Sequence, residues 1–184
     1  MAVSKLWLIN EGGLSRVLQY AANPKKTNNK LYVNGINCEP ETAYEEFTAV
    51  KHSYAKAGGI EAYHGYLSFK EQDITPELSL KIGTEFAQEV WGKRFQILVT
   101  VHTDTEHSHC HFVINSVSFV DGKKLWGEEK AWFKFKQTAD RLCEKYGLYY
   151  NPKPVRGKSS SYHYNREKKG EPTRYLLARE AMEK

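Results

Sequence analysis

Apolar residues recur along this chain with two different periods, and the switches between them outline its elements. Leu14, Val17, Leu18 and Ala21 fall at helical spacing between Glu11-Gly12-Gly13 and Asn23-Pro24, which predicts a first helix over 14–22. The run 5–9 before it reads as a short strand, and 31–36 as a strand or strand-like loop. A second helix is predicted over 42–57, stopped by Gly58-Gly59, and a strand over 61–69. Thr75-Pro76-Glu77 is a helix start, with a capping hydroxyl, a proline at the first position and an acid in the first turn. Leu78, Ile82, Phe86 and Val90 then form one stripe. Segments 95–102 and 109–119 read as strands joined by a short polar loop, with Asp121-Gly122 as a turn. The last helix is predicted over 128–146, with Trp132, Phe135, Ala139 and Leu142 on one face and Gly147 as its stop.

This order predicts an α+β fold: a mainly antiparallel central sheet with helices packed on one face and the other face left open. One domain is expected over 1–150, followed by a basic C-terminal extension over 151–184. The extension carries Lys153, Arg156, Lys158 and Arg166 among Tyr162, His163 and Tyr164. Cations among aromatics can follow phosphates while stacking bases, although a solvated tail has the same composition. The net charge of +5 makes nucleic acid a plausible partner without proving it. No run of 18 apolar residues exists, so no membrane insertion is expected. The N-terminus lacks a signal-peptide pattern. Cys38, Cys110 and Cys143 are widely spaced with no CxxC, which suits a reducing cytoplasm.

The chemistry concentrates in His102-Thr103-Asp104-Thr105-Glu106-His107-Ser108-His109-Cys110-His111. Strand alternation puts Phe95, Ile97, Val99 and Val101 on one side and His102 on the other. On the second strand it puts Cys110, Phe112 and Ile114 on one side, and His109, His111 and Asn115 on the opposite one. The apolar sets must meet helices, so His102, His109 and His111 emerge together. In a hairpin, His102 and His109 would stand roughly 5 Å apart, with His111 about 7 Å along. That is a set of ligands for one divalent metal ion, with Asp104 able to orient a ring through its second nitrogen. Three imidazoles suit Mn, Zn, Ni or Co better than Mg; Mn or Mg is expected in function. His107 reads as an outer contact or a DNA contact, and His64 as a packed structural histidine.

The pattern His102-x-Asp104-x-x-His107-x-His109-x-His111 resembles the third motif of conjugative and mobilisation relaxases of the MobA/MobL and VirD type, within the HUH endonucleases. Cys110 holds the hydrophobic place between the paired histidines. The segment from Leu14 through Tyr20 to Thr27 resembles the family's first motif, and 63–69 is similar to a strand before its long helix. The resemblance covers about residues 1–150 and implies that this domain is a relaxase catalytic domain.

It implies that Tyr20 is the nucleophile, attacking a phosphodiester to give a 5′-phosphotyrosine and a free 3′-hydroxyl at a plasmid or transposon transfer origin. On a helical wheel Tyr20 lies about 110° from the centre of the apolar stripe, at the edge of the buried face. Asp104, Glu106, His107 and the bound phosphate itself are candidates for taking the tyrosine proton. DNA contacts are expected from Lys25, Lys26, Thr27, Asn115, Lys153, Arg156, Lys158 and Arg166. The implied partners are single-stranded or transfer-origin hairpin DNA, accessory relaxosome proteins and a coupling protein, in a bacterial cytoplasm. Such relaxases usually run longer, so the chain is expected to be an N-terminal fragment. Competing readings are a rolling-circle replication initiator with the same chemistry, a metal-dependent nuclease using water, and a non-enzymatic DNA-binding module.

Overall fold

The computed structural model describes residues 3–69, 74–104, 109–125 and 131–149. Its elements run β1 (Val3–Asn10), α1 (Leu14–Ala21), β2 (Val33–Ile36), α2 (Ala43–Ser53), β3 (Ile60–Ser68), α3 (Pro76–Val90), β4 (Ile97–His102), β5 (His109–Asn115) and α4 (Ala131–Lys145). The strands form one sheet in the order β1-β3-β5-β4-β2, and every neighbouring pair is antiparallel.

Period-two alternation divides the sheet into two faces. Tyr63, Leu67, Ile97, Val99, Val101, Cys110, Phe112 and Ile114 form one face. They bury against Ile82, Phe86 and Ala87 of α3 and Phe135, Ala139 and Leu142 of α4. The α3 stripe forms where its spacing predicted, behind a Thr75 hydroxyl that accepts from Leu78 N at 3.2 Å. The expected α+β sandwich is therefore present, with one addition on the opposite face. There α1 and α2 cover Ala62, Leu98 and Val113 with Leu14, Val17, Leu18, Ala21, Ala43 and Phe47. The other end of that face, which carries the histidines, stays open.

Two expected strands are shorter than their apolar runs. β2 begins only at Val33, because Asn28, Asn29 and Lys30 all take left-handed backbone angles, with φ of 49°, 55° and 65°. That turn is closed by Asn29 N donating to Pro24 O and Tyr32 N to Thr27 O. β5 ends at Asn115, after which the chain turns through Asp121-Gly122 and Val117 bridges to Lys124.

α3 approaches β5 closely at Gly83, where a β-carbon would collide with the Cys110 sulfur. Alanine is the better helix former by about 1 kcal/mol, but overpacking a core costs about 1–3 kcal/mol. Gly83→Ala should therefore lower stability in denaturant unfolding, and adding Cys110→Ala should return part of the loss. A Gly83→Ala protein as stable as the parent would contradict this packing.

Candidate active site

Helix α1 is held to the sheet at both ends. At its start, Leu14 N donates to Glu61 Oε2 of β3 at 2.9 Å, a carboxylate placed where the helix dipole favours negative charge. At its end, His102 Nε2 of β4 donates to Ala21 O at 3.0 Å. The buried stripe between these anchors fixes the helix rotation. Tyr20 falls outside the stripe and is 44% exposed. Its ring lies edge-on to His102, His64 and His111, with centroids 5.3, 5.9 and 6.0 Å away.

Antiparallel register gathers the histidines. His102 is the direct partner of His109, and His111 lies between Thr100 and Tyr66. The rings of His102 and His111 are 4.1 Å apart, and those of His109 and His111 are 6.4 Å apart. His64 joins them, which corrects its reading as a merely packed residue. Its Nε2 lies 3.2 Å from His111 Nδ1 and the rings stack at 5.3 Å. The signal for it was available, since Tyr63 and Leu67 must face the core and their alternation turns His64 outward.

Burial favours the neutral form of His64, His102 and His111. Desolvation first, and then neighbouring histidine charge, pushes His64 down to about 4 and His111 down to about 3. His102 is lowered as well, mainly by burial, against the opposing pull of its bond to Ala21. A carbonyl oxygen can only accept, so His102 carries its hydrogen on Nε2 and keeps the Nδ1 lone pair.

Three imidazoles on one face are a donor set suited to a divalent cation. The Thr100 hydroxyl beside them is buried without a hydrogen-bond partner among the described residues, which suits a site completed by a further group. In the present ring orientations no three His, Cys, Asp or Glu side chains among the described residues surround one ion-sized point. The residues fit a metal in the chemistry of their donor atoms and in sharing one face of the sheet.

The segment after α1 forms the near wall. Lys26 Nζ bonds Asp104 Oδ2 at 2.8 Å and sits 5.1 Å from the Tyr20 ring centroid. The hydrogen bond raises the Lys26 ammonium above its usual range and holds the Asp104 carboxyl below its own. Asp104, expected to orient a ring, thus has Lys26 as its described partner. Lys25 is exposed.

Two expected DNA contacts are corrected. Thr27 is fully buried, its hydroxyl donating to Asn23 O and accepting from Lys30 N, so it shapes the turn. Asn115 is also fully buried, its amide donating to Phe47 O and Gln96 Oε1, so it ties β5 to α2 and to the residue before β4. Both side chains are engaged in internal hydrogen bonds and present no surface to a strand. Glu106, His107, Lys153, Arg156, Lys158 and Arg166 lie outside the described residues. A cleft of about 940 Å³ joins Tyr20, Lys26, Asp104, His64, His102, His109 and His111, and extends to Trp7 and Arg16.

The helix-borne phenol, the strand-borne imidazoles and the antiparallel sheet coincide with a known family. The family described as "Relaxase: MobA/VirD2-like, nuclease domain" matches residues 20–148, and the chain belongs to it. Among similar proteins, one named Protein rlx from Staphylococcus aureus is 35% identical over 148 residues, covering 80% of this chain and 44% of the relative. A second of that name and organism is 34% identical over 134 residues, covering 73% and 39%. The chain thus spans less than half the length of these relatives.

Two solved structures share the fold. The MobM relaxase domain bound to plasmid pMV158 oriT DNA, in a Mn-bound crystal structure, has a TM-score of 0.57 at 10% identity and covers 90% of this chain and 98% of that one. A structure reported under "Molecular Basis of Vancomycin Resistance Transfer in Staphylococcus aureus" has a TM-score of 0.58 at 12% identity, covering 87% and 100%.

The depressed histidines link stability to pH. Unfolded histidine takes a proton below about 6.5, whereas folded His64 and His111 resist until about 4 and 3. Their contribution is therefore complete above the unfolded value and drains as pH falls through the window down to the folded ones. In EDTA, the denaturant midpoint should drop between pH 7 and 5, and less steeply in His64→Gln. A midpoint that does not change over that range would contradict the buried, neutral cluster.

Proposed function

We propose that this domain nicks one DNA strand at a transfer origin by transesterification and remains covalently attached to it. The observation that carries this reading is the edge-on approach of the Tyr20 ring to three imidazoles, in a cleft that reaches the surface. A phenol there needs little movement to meet a phosphate lying over the histidines.

Tyr20 Oη attacks the scissile phosphorus, the bond from phosphorus to the 3′-oxygen breaks, and a 5′-phosphotyrosine forms as the 3′-oxygen leaves and takes up a proton. The bond energy stays in the adduct, so the strand can be rejoined without ATP. A divalent cation held by His102, His109 and His111 would draw charge from the non-bridging phosphate oxygens. His64 positions His111 through the shared hydrogen between their rings. Asp104 holds the Lys26 ammonium beside Tyr20, where a cation favours the negative charge developing on the phenol oxygen. His107 lies in the same connecting segment and is retained as a candidate to take the phenol proton.

The Mn and the transfer-origin DNA belong to MobM; here a divalent cation, with Mn or Mg preferred, and single-stranded or hairpin DNA are the proposed partners. Residues 1–150 are the proposed catalytic domain, and 151–184 a DNA-contacting extension through Lys153, Arg156, Lys158 and Arg166. Lys25 and Lys26 flank the strand. Mobilisation of a plasmid or transposon in a bacterial cytoplasm, with relaxosome proteins and a coupling protein, completes the reading.

Incubation with single-stranded transfer-origin DNA and Mn²⁺, followed by denaturation, should give a covalent adduct mapped to Tyr20. Tyr20→Phe should lower cleavage by on the order of 10³-fold or more while leaving DNA binding nearly intact. His109→Ala with His111→Ala should remove metal binding and cleavage together. Nicking that persists in Tyr20→Phe without an adduct would replace this reading by hydrolysis with water.

A further inference from the structure

The cleft does not end at the histidines. It continues past His64 to the edge strand β1, where its wall is Trp7. Trp7 is the register partner of His64, so the same pleat that turns His64 toward the site turns Trp7 there too. The indole is 41% exposed and lies 5.6 Å from each of the His64 and Tyr66 rings. Tyr66 in turn contacts the His109 and His111 rings at 6.1 and 6.3 Å. An aromatic shelf thus runs from the sheet edge to the reaction centre.

Charge in the cleft adds to this. Among the described residues lining it, the lysine and arginine are Lys26 and Arg16, and the carboxylates are Glu11 and Asp104. These balance, and Lys26 is already paired with Asp104. The fixed charges of the described walls give a polyanionic strand no net attraction, and the ring surfaces offer a further source of affinity. Bases stack on aromatic side chains with little sequence preference, because every base has a π-face.

We propose that Trp7, backed by Tyr66, is a stacking platform for one base of the bound strand, at the nucleotide flanking the scissile phosphate. The His64 ring separates the two positions, 5.6 Å from Trp7 and 5.9 Å from Tyr20. A base held on Trp7 therefore anchors the backbone within reach of the phenol. This subsite rests on the reading of single-stranded DNA as the substrate. Its role is affinity and register, and sequence discrimination belongs to other contacts.

The test is fluorescence anisotropy with a labelled single-stranded oligonucleotide of about 20 mixed-sequence nucleotides, titrated in EDTA at several salt concentrations. Trp7→Ala and Trp7→Leu should weaken binding by about 5- to 100-fold, the range for one lost base stack. The slope of affinity against salt should not change, because no phosphate contact is removed. Trp7→Phe should restore most of the affinity. Circular dichroism melting checks each fold, and the Leu and Phe pair carries the comparison should Trp7→Ala not fold.

Binding by Trp7→Leu equal to the parent would overturn the subsite, as would a salt slope that falls with the affinity. So would failure of the unsubstituted protein to bind the oligonucleotide. Cleavage is absent in EDTA, so this outcome is separate from the nicking chemistry. A parent that binds through Trp7 but forms no adduct with Mn²⁺ would sink the nicking reading and leave the stacking platform standing.

Discussion

The packing of α1 across one end of the sheet is the constraint on which the site depends. Leu14, Val17, Leu18 and Ala21 bury against Ala62, Leu98 and Val113, and that burial sets the rotation of a helix only eight residues long. So short a helix would not persist alone in water. Its ends are fixed by Glu61 and His102, which stand on two of the strands that build the open face. The phenol of Tyr20 is thereby placed by the same contacts that hold the helix, and His102 belongs to both the scaffold and the site.

The second constraint is electrostatic. Rings 4–6 Å apart cannot all be protonated without strong mutual repulsion, and burial penalises each charge further. Burial holds His64, His102 and His111 toward the neutral form, which is also the form that binds cations. Around them the fixed charges of the described cleft balance, so the protein walls neither repel nor strongly attract a phosphate chain. What the described walls offer a substrate is imidazole donors at one end and ring surface at the other.

Much of this was legible in the sequence because it follows from periodicity. The alternation in β4 and β5 put His102, His109 and His111 on one face before any coordinates, and the α1 stripe put Tyr20 at the edge of burial. A lone histidine between tyrosines shows its outward facing only through the alternation of Tyr63 and Leu67, and its contact with His111 only once β3 pairs with β5. Thr27 and Asn115 were misread for the related reason that chain proximity to a motif does not reveal burial. Thr27 is drawn inward by a left-handed turn, and Asn115 by two acceptors, one of them more than sixty residues away in sequence. The cover that α1 and α2 give to half of the open face was equally invisible, since a helix stripe does not say which side of a sheet it meets.

The most direct test of this account is a crystal structure of the domain grown with Mn²⁺, with the ion located by its anomalous scattering. The account predicts one ion bound by His102, His109 and His111, with the Tyr20 phenol beside it and α1 still anchored to Glu61 and His102. An ion held elsewhere, or a Tyr20 ring turned away from the histidines with the metal in place, would contradict it.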